Sequence, residues 1–360
     1  MATPTGAARK LLAAGFSNKA AATAWGTPVA LGATMGLNAK TISGFNRSQD
    51  LLVAQEIDQP VPFSGALDSI KPVDFTITTD MLYGPGALGT GIAMLFGTAG
   101  APGVTDTSAQ THTLQWADGI FGSYGTFACE MPGMIWESAS VKPMEWTLKS
   151  SGGGFVQSEL KCRGNTLIDT SAVNTLTQMD ALTYDDKGTF GRITFKQQLV
   201  YMNPQATATD VTATTALNAM GVEASFKRTG FDGVVPAGAS SIIEPVEAGY
   251  SDIRVKLNFA HFDATNAAYL ATAISEVTQK MAIRYTGLVL AGATTVYHRM
   301  TLYFPRMRML MPEAGFDEIV KNGVELVSEE AAANPTGMSH VRPYVELVNT
   351  RTTDYLTAHA

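Results

Sequence analysis

The strand-to-helix pattern that decides the fold lies in residues 251–275, which read SDIRVKLNFAHFDATNAAYLATAIS. Within residues 253–259 every second side chain is apolar, so an extended strand here has one apolar face and one polar face. Asp263 is a favoured helix N-cap residue. Three apolar residues follow it at the spacing of one helix face: Leu270, Ile274 and Val277. The stretch predicts a half-buried strand followed by an amphipathic helix.

A second stretch, residues 71–97, has the same plan and reads KPVDFTITTDMLYGPGALGTGIAMLFG. Residues 73–77 alternate between apolar and polar side chains, which again predicts a strand. Gly84 ends that strand, and Pro85 stands at the expected first position of a helix. The helix has its own apolar stripe: Leu88, Ile92 and Leu95. The strand-to-helix plan therefore occurs twice in the chain.

Strand signals after each helix extend the similarity between the two halves. After the first helix they lie at residues 112–116, 125–129, 144–148 and 156–162. The Ser- and Gly-rich turn at residues 150–154 joins the last two as a hairpin. After the second helix they lie at residues 281–285, 296–309, 323–328 and 344–348, with a turn at residues 311–315. Further strands, at residues 51–63, 193–201 and 222–226, are predicted to open the two units.

These patterns predict a mainly β chain of two tandem units, each with one helix and with later strands that pair as antiparallel hairpins. Residues 1–40 are expected to form an N-terminal arm that is flexible or makes interfaces. The first unit spans residues 41–168, and the second spans residues 169–350 with an inserted polar loop at 205–221. Residues 351–360 form a C-terminal tail. Two units of this kind predict two cores instead of one undivided core.

Composition excludes several classes of protein. The chain has 25 Lys and Arg against 32 Asp and Glu, a formal net charge of −7, which argues against tight binding to nucleic acid phosphates. Charged residues make up 16%, below the usual figure of about 25%, so we expect neighbouring subunits to cover part of the surface. Cys129 and Cys162 have no metal or redox spacing and are predicted to be small buried residues. No apolar run is long enough for a membrane span.

Motifs that could carry chemistry are weak. Gly84, Gly86 and Gly89 fit GxGxxG, but a dinucleotide site needs a parallel βαβ crossover, so a structural strand-to-helix turn is favoured. Asp185 and Asp186 lie in a predicted turn, where acidic residues make local hydrogen bonds. The histidines are too scattered to share a metal: His112, His261, His298, His340 and His359. No catalytic, cofactor-binding or metal-binding residue is predicted, and the chain is not expected to be an enzyme.

One segment, residues 299–309, combines arginines with methionines and aromatic residues. Such a cluster can stack on single-stranded nucleic acid, but the negative net charge favours a subunit interface, where Arg, Met and aromatic side chains are enriched. The predicted interface residues are Arg299, Tyr303, Arg306, Met307 and Arg308.

The sequence resembles the tail tube proteins of bacteriophages with long, non-contractile tails (siphovirus type), in particular the double-domain variety whose chain carries the tube fold twice. The similar parts are the two strand-to-helix stretches, together with residues 175–201, TLTQMDALTYDDKGTFGRITFKQQLVY, and residues 299–338, RMTLYFPRMRMLMPEAGFDEIVKNGVELVSEEAAANPTGM. Together they cover most of residues 45–348.

The resemblance implies two tail-tube-type β-sandwich units per chain, with one sheet of each joining a barrel around a lumen. A doubled subunit is then expected to form a trimeric ring with pseudo-sixfold symmetry, and rings stack into the tube. The implied partners are other copies of the chain, a tape-measure protein, tail terminator and distal tail proteins, and genomic DNA that passes through without specific binding. No cofactor and no membrane insertion are implied. The protein would be assembled in the host cytoplasm and reside in the virion, where a negative lumen would repel DNA phosphates.

Two alternatives remain open from the sequence. The chain could be another ring-forming tail protein, such as a distal tail, hub or terminator protein. It could also be a carbohydrate-binding adhesive β-sandwich in which aromatic residues stack on sugars: Trp116, Tyr124, Trp136 and Trp146.

Overall fold

The computed structural model describes most of the chain. The described residues are 13–17, 24–46, 51–53, 66–68, 72–106, 108–131, 134–185, 187–237, 239, 241–259, 274–290, 292, 295–310 and 322–356. The predicted helix over residues 263–277 falls largely outside them, as does the predicted turn at 311–315. Ile274 and Val277, from the apolar stripe of that helix, are described and exposed, so their predicted burial is not observed.

Strands dominate the described residues, as predicted. The strands are β1 (Ala13–Phe16), β2 (Thr41–Ser43), β3 (Leu51–Val53), β4 (Ala66–Asp68), β5 (Val73–Asp80), β6 (Gly97–Ala99), β7 (Gly103–Asp106), β8 (Ala109–Trp116), β9 (Gly125–Met131), β10 (Met134–Ser151), β11 (Gln157–Gly164), β12 (Gln198–Pro204), β13 (Ala219–Lys227), β14 (Asp252–Phe259), β15 (Gln279–Val289), β16 (Tyr297–Met309), β17 (Asn322–Ser328) and β18 (Tyr344–Asn349). Helices within the described ranges are few and short: α1 (Gly86–Phe96), α2 (Leu176–Asp180) and α3 (Lys187–Phe190), with 3-10 turns at Ala33–Met35, Phe195–Gln197 and Val211–Ala213.

The alternating stretches form strands where the sequence predicts them. β5 and β14 bury every second residue, because one face of each strand packs on the core and the other meets solvent. The hairpin around residues 150–154 is also confirmed, since β10 and β11 pair on either side of it. Of the strand predicted at 51–63, only β3 lies within the described residues, where it pairs with β4.

Sixteen of these strands belong to one sheet, and every pair of named strands is antiparallel. Its main path runs β2-β5-β11-β10-β13-β14-β17-β16-β18-β8-β6. β1 and β9 branch from β10, β12 and β15 branch from β16, and β7 pairs with β8. The mainly β, antiparallel class predicted from the sequence is therefore correct.

The pairing order in the first half of the chain has a counterpart in the second half. The first half contains the path β5-β11-β10-β9-β1, and the second contains β14-β17-β16-β15-β12. In both, a long strand pairs through its first part with the strand before it and through its last part with the strand after it. β13 joins β10 to β14, and β18 joins β16 back to β8.

Helix α1 differs from the flanking helix predicted. Leu88, Ile92 and Leu95 are buried as expected, but so is every other residue of the helix. The sequence GALGTGIAMLF contains no charged side chain, so no face of the helix requires water. Two glycines let neighbours approach closely: a Cβ at Gly89 would meet the Tyr355 ring, and one at Gly91 would meet Leu160 and Phe16.

One large hydrophobic cluster contains residues from both halves of the chain. Trp146 of β10 stacks on Phe226 of β13 with ring centroids 5.2 Å apart, and Phe226 stacks on Phe304 of β16 at 5.6 Å. These three rings connect the first half to the second without a gap. The expectation of two separate cores is therefore not met, because β13 and β18 join the halves into one sheet over a common interior.

Parts of both predicted termini are built into the fold. In the predicted arm, Phe16 is buried and β1 pairs with β9, so this portion is neither free nor external. In the predicted tail, Tyr355 is buried and its hydroxyl accepts a hydrogen bond from Asn349 Nδ2 at 3.2 Å. Of the range 205–221, residues 205–218 are largely irregular, and residues 219–221 belong to β13. The irregular part packs on β12 and β15 through buried Val211.

Candidate interaction surface

A polar face of the large sheet lies on the side opposite the core. Six neighbouring strands, β5, β11, β10, β13, β14 and β17, contribute alternate side chains to it, while the intervening side chains point into the core. We call this surface the polar face. Its carboxylates are Asp74, Asp80, Glu145, Glu159, Glu223, Asp252 and Glu325, and its cations are Lys149, Lys161, Arg163, Lys227, Arg254 and Lys256. All of these residues are half-buried or exposed.

The register of the strands places opposite charges beside each other. Lys161 on β11 lies opposite Glu145 on β10, and their Nζ and Oε2 atoms are 2.9 Å apart. Lys149 on β10 reaches Glu159 on β11, also at 2.9 Å. Exposed pairs of this kind contribute about 0–1 kcal/mol each, so they set the pattern of charge on the surface more than the stability of the fold.

Arginines make the closest contacts on the polar face. The Arg163 guanidinium donates from Nε and Nη2 to the two carboxylate oxygens of Asp74, each at 2.7 Å. This hydrogen bonding raises the pKa of Arg163. On the neighbouring part of the face, Arg254 donates to Asp252 at 2.7 Å and to Glu325 at 2.9 Å. The arginines therefore link β11 to β5 and β14 to β17 through their side chains.

The polar face is nearly neutral, although the whole chain carries a formal charge of −7. Seven carboxylates stand against six cations on this surface, and most of them are paired across strands. Because the charges cancel over short distances, the field they produce falls off quickly into solvent. Such a surface neither attracts nor strongly repels a polyanion.

Two of the predicted interface residues, Arg306 and Arg308, share one carboxylate. Arg306 Nε is 2.9 Å from Glu329 Oε2, and Arg308 Nε is 2.8 Å from Glu329 Oε1. Arg308 also lies 3.3 Å from Glu276. Both arginines remain partly exposed, at 32% and 41% of the side chain, so each can still contact a partner.

Tyr303 and Met307, also predicted at an interface, are buried within the chain itself. Tyr303 stacks on Tyr344 of β18 with ring centroids 4.6 Å apart, beneath residues of the inserted loop. Met307 belongs to the main core and has no exposed surface. The two residues lie on opposite faces of β16, because its pairing with β15 shifts register between Phe304 and Met307. Other parts of the chain cover both faces. Contacts within the chain therefore account for their apolar character.

Arg299, the fifth predicted interface residue, is half-buried on β16 near Glu346 of β18. Burial raises the pKa of Glu346, and the nearby Arg299 guanidinium and Tyr303 hydroxyl partly oppose the shift. Arg299 thus helps to accommodate a half-buried carboxylate. The structure does not bring it together with Arg306 and Arg308 around one carboxylate.

Two buried cations hold the long connection between β13 and β14, and sequence reasoning missed both. Lys142 donates to Glu244 at 2.7 Å and to the Pro245 carbonyl at 3.0 Å. Arg228 pairs with Glu247 at 2.9 Å. Neither cation belongs to a recognisable motif, and each acts through residues that are distant in sequence. They fix this connection against the first half of the chain.

Protein side chains occupy the space beside the glycines of the GxGxxG motif. A Cβ at Gly84 would collide with the Phe190 ring, and one at Gly86 would collide with the Asp185 carboxylate. Gly86 also has φ +51°, a conformation that side chains rarely adopt. The space that a dinucleotide phosphate needs is therefore occupied, and the structural interpretation of this motif is supported.

Other candidate chemical groups have structural roles. Asp185 pairs with Arg351 at 2.7 Å, and burial raises the pKa of Asp185. Asp186, His261 and His359 lie outside the described residues.

Cys129 and Cys162 are free and buried, and burial raises the pKa of the Cys129 thiol to about 12. Within the described ranges, no three His, Cys, Asp or Glu side chains could hold a metal ion together.

Three of the four aromatic residues that the adhesive alternative would use are buried. Trp146 is fully buried, and its Nε1 donates to Ser158 Oγ at 2.8 Å. Trp116 is 5% exposed and lies under the Arg228 guanidinium, 4.0 Å from its ring centroid. Tyr124 is also buried, whereas Trp136 is half-buried. Three of the four rings therefore have no exposed face on which a sugar could stack.

The chain matches no protein-family model and no curated protein. In the described part of the chain, no helix is long and apolar enough to cross a membrane. Inferences about function therefore rest on the sheet, its polar face and its edges.

Proposed function

We propose that the chain is the major tube subunit of a phage tail, a structural virion protein that forms stacked rings around a DNA-conducting lumen. The observation that carries this proposal is the polar face, which runs without interruption across strands of both halves of the chain. A tube wall needs such a surface, because its inner side meets water and DNA while its other side packs on a core.

The repeated pairing order supports the double-unit character of the subunit. The path through β5, β11 and β10 and the path through β14, β17 and β16 each begin with the strand that precedes a predicted helix. Because both paths lie in one sheet, two fused units would each contribute a segment of the same wall. Three chains would then provide six similar segments, which matches a trimeric ring with pseudo-sixfold symmetry.

The common core modifies this picture of the subunit. The two halves share one interior and exchange strands, since β18 pairs with β8 of the first half. The units in one chain would therefore be fused into one body, instead of being joined as independent domains. A fused pair suits a ring subunit, because the angle between its two wall segments is fixed before assembly.

The edges of the sheet support association with further copies of the chain. At one end, β5 is covered only by the three-residue strand β2 over Thr76–Thr78, as far as the described residues extend. At the other end, β8 pairs with the short strands β6 and β7, and within the described ranges neither of these has a further partner strand. Strand edges with unpaired backbone groups favour pairing with another chain, and closure around a ring removes them.

The charge pattern of the polar face supports free passage of DNA. The physical reason differs from the one expected from the sequence, which was repulsion by a negative lumen. The charges of the polar face are nearly balanced and locally paired, so a polyanion meets no net attraction that would hold it. DNA would pass without specific binding. A tape-measure protein inside the tube, tail terminator and distal tail proteins at its ends, host-cytoplasmic assembly and location in the virion follow from the same proposal.

A second candidate is another ring-forming tail protein, such as a distal tail, hub or terminator protein, which would form one ring without stacking. The same polar face and edges favour it. The adhesive alternative loses support because Trp116, Trp146 and Tyr124 are buried.

Electron microscopy of the purified full chain over a concentration series tests the proposal. Stacked rings with threefold or pseudo-sixfold symmetry are expected, and light scattering should report growing assemblies. Single rings that never stack would favour the second candidate. A chain that stays monomeric at the highest concentration would contradict both.

A further inference from the structure

A cavity of about 180 Å³ lies at the β5 edge of the sheet, where three separate segments meet. Residues 38–40 form one side, the end of β5 forms the second, and residues 187–192 form the third. The charged or polar side chains around it are Asn38, Lys40, Asp80, Lys187 and Arg192. We call this the cationic cavity.

The cavity has an excess of positive charge in a chain that is acidic as a whole. Three cations surround one carboxylate, and the only close pair is Lys40 Nζ with Asp80 Oδ1 at 3.5 Å, a long contact. In the part of the chain that the structure describes, no ion pair joins Lys187 or Arg192 to a carboxylate. Cations on the polar face, by contrast, are mostly paired at 2.7–2.9 Å.

Rigid parts of the fold hold two of these cations. The backbone N–H of Lys40 donates to the Thr78 carbonyl of β5 at 2.8 Å. Arg192 forms an antiparallel backbone bridge with Leu82, and its guanidinium lies 5.0 Å from the centroid of the Phe155 ring. Packing on the ring restricts the Arg192 guanidinium, so less side-chain entropy is lost when a ligand engages it. At Lys40 the backbone bond fixes the position from which an exposed side chain extends.

The donor set suits an oxyanion. Two ammonium groups and one guanidinium offer charged N–H donors, which form the stronger class of hydrogen bond to phosphate or carboxylate oxygens. The net charge of the five side chains is positive, so an anion would neutralise a cluster that is otherwise self-repelling. The volume is sufficient for a group of phosphate size, and the cavity is open to solvent.

We propose that the cationic cavity binds an oxyanion, either phosphate or a carboxylate, through Lys40, Lys187 and Arg192. The inference goes beyond the proposed tube function and does not depend on it. A monomeric chain could bind the anion, and an assembled one could bind it as well.

Calorimetric titration of the full chain with sodium phosphate, and separately with sodium acetate, tests the proposal at constant ionic strength set with sodium chloride. Saturable binding of at least one anion is expected. Arg192→Gln should weaken it by about tenfold or more, the loss expected for one hydrogen bond to a charged group. Asp80→Asn should strengthen it, because a like charge leaves the cavity. Lys196→Gln replaces an exposed cation close to Arg192 in sequence but outside the cavity lining, so it is the matched control and should leave binding unchanged.

The two anions distinguish the sources of the ligand. Tighter binding of phosphate assigns a phosphate site, and equal or tighter binding of acetate assigns a carboxylate site. Thermal unfolding of every variant in chloride alone, with a cooperative transition above the titration temperature as the criterion, separates loss of binding from loss of fold. The proposal is overturned if neither anion binds saturably, if Arg192→Gln and Lys196→Gln have equal effects, or if Asp80→Asn weakens binding.

Discussion

Arg228 and Glu247 form a two-bond ion pair, with Arg228 Nη1 lying 3.1 and 2.9 Å from the two oxygens of the Glu247 carboxylate. The other guanidinium donors of Arg228 go to main-chain carbonyls at the end of α1 and beyond it: Leu95, Phe96 and Ala117. One fully buried side chain therefore caps a buried helix and fixes the connection between β13 and β14.

Replacing Arg228 should unfold the protein more readily than replacing any exposed cation. Arg228→Met removes the buried counter-charge of Glu247 and a charged donor to three main-chain carbonyls, those of Leu95, Phe96 and Ala117. We therefore expect a loss of about 3–5 kcal/mol in the free energy of unfolding. Urea denaturation of Arg228→Met and of the adjacent exposed control Lys227→Gln measures this. The control should change by less than about 0.5 kcal/mol. Equal effects of the two variants would show that the buried network contributes little.

Gly89→Ala should destabilise the protein, although alanine ordinarily strengthens a helix. In an exposed helix this change gains about 0.8–1.0 kcal/mol. Here a Cβ would lie 2.5 Å from the Tyr355 ring, so we expect a net loss of about 1–3 kcal/mol from overpacking. Gly100→Ala is the matched control, because nothing lies within 4 Å of its added Cβ. Thermal denaturation compares the two, and an increase in Tm for Gly89→Ala would contradict the tight packing of α1.

Reversing charges on the polar face should create DNA binding. Glu223→Lys combined with Glu145→Lys converts a nearly neutral surface into a positive one, so this variant should bind duplex DNA. The logarithm of its binding constant should fall linearly with the logarithm of the salt concentration, with a slope of about −0.9 per phosphate neutralised. A filter-binding or fluorescence titration measures it against the unmodified chain. Asp169→Lys combined with Asp180→Lys changes the net charge equally at exposed sites outside the polar face and is the control. Equal gains in both variants would mean that total charge matters, not its location.

Acid should destabilise the fold through His112. This histidine is fully buried, its Nε2 lies 2.9 Å from the Arg351 carbonyl oxygen, and burial lowers its pKa below the usual 6.5. Because the unfolded chain binds a proton more readily than the folded one, stability is lost as pH falls through the unfolded pKa of about 6.5. The free energy of unfolding of the wild type should therefore fall more between pH 7.5 and roughly 5.5 than that of His112→Gln. Parallel curves for the two proteins would exclude His112 as the cause.

The strands were predictable because a two-residue apolar period is local information. Residues 73–77 and 253–259 carry it in full, and β5 and β14 formed there. The depth of burial was not predictable in the same way. Leu88, Ile92 and Leu95 indicate one buried face of α1, whereas burial of the whole helix depends on β1, β8 and β10, which lie elsewhere in the sequence. The single core was missed for the same reason, since it depends on long-range pairing of β13 and β18.

The sequence predicts which charged residues lie on the polar face, but it does not predict which of them form ion pairs. Alternation places Glu145, Lys161 and Asp74 on exposed strand positions, yet which charges meet depends on register between strands. For the cluster at residues 299–309, the sequence shows the residue types but not whether they are buried within the chain. Tyr303 and Met307 look like interface residues locally, and only the folded chain shows that the inserted loop and the core cover them.

The pairing of β8 with β18 has a consequence for how the protein is made. Residues Gln110–Gln115 cannot pair with Tyr344–Asn349 until the long intervening segment has left the ribosome. During that interval the growing chain exposes the long edge of β8, which is the kind of surface that recruits chaperones or mispairs with other nascent chains. Folding of the first half is therefore expected to be completed late in synthesis, and slowly, because such distant contacts close at a high entropic cost.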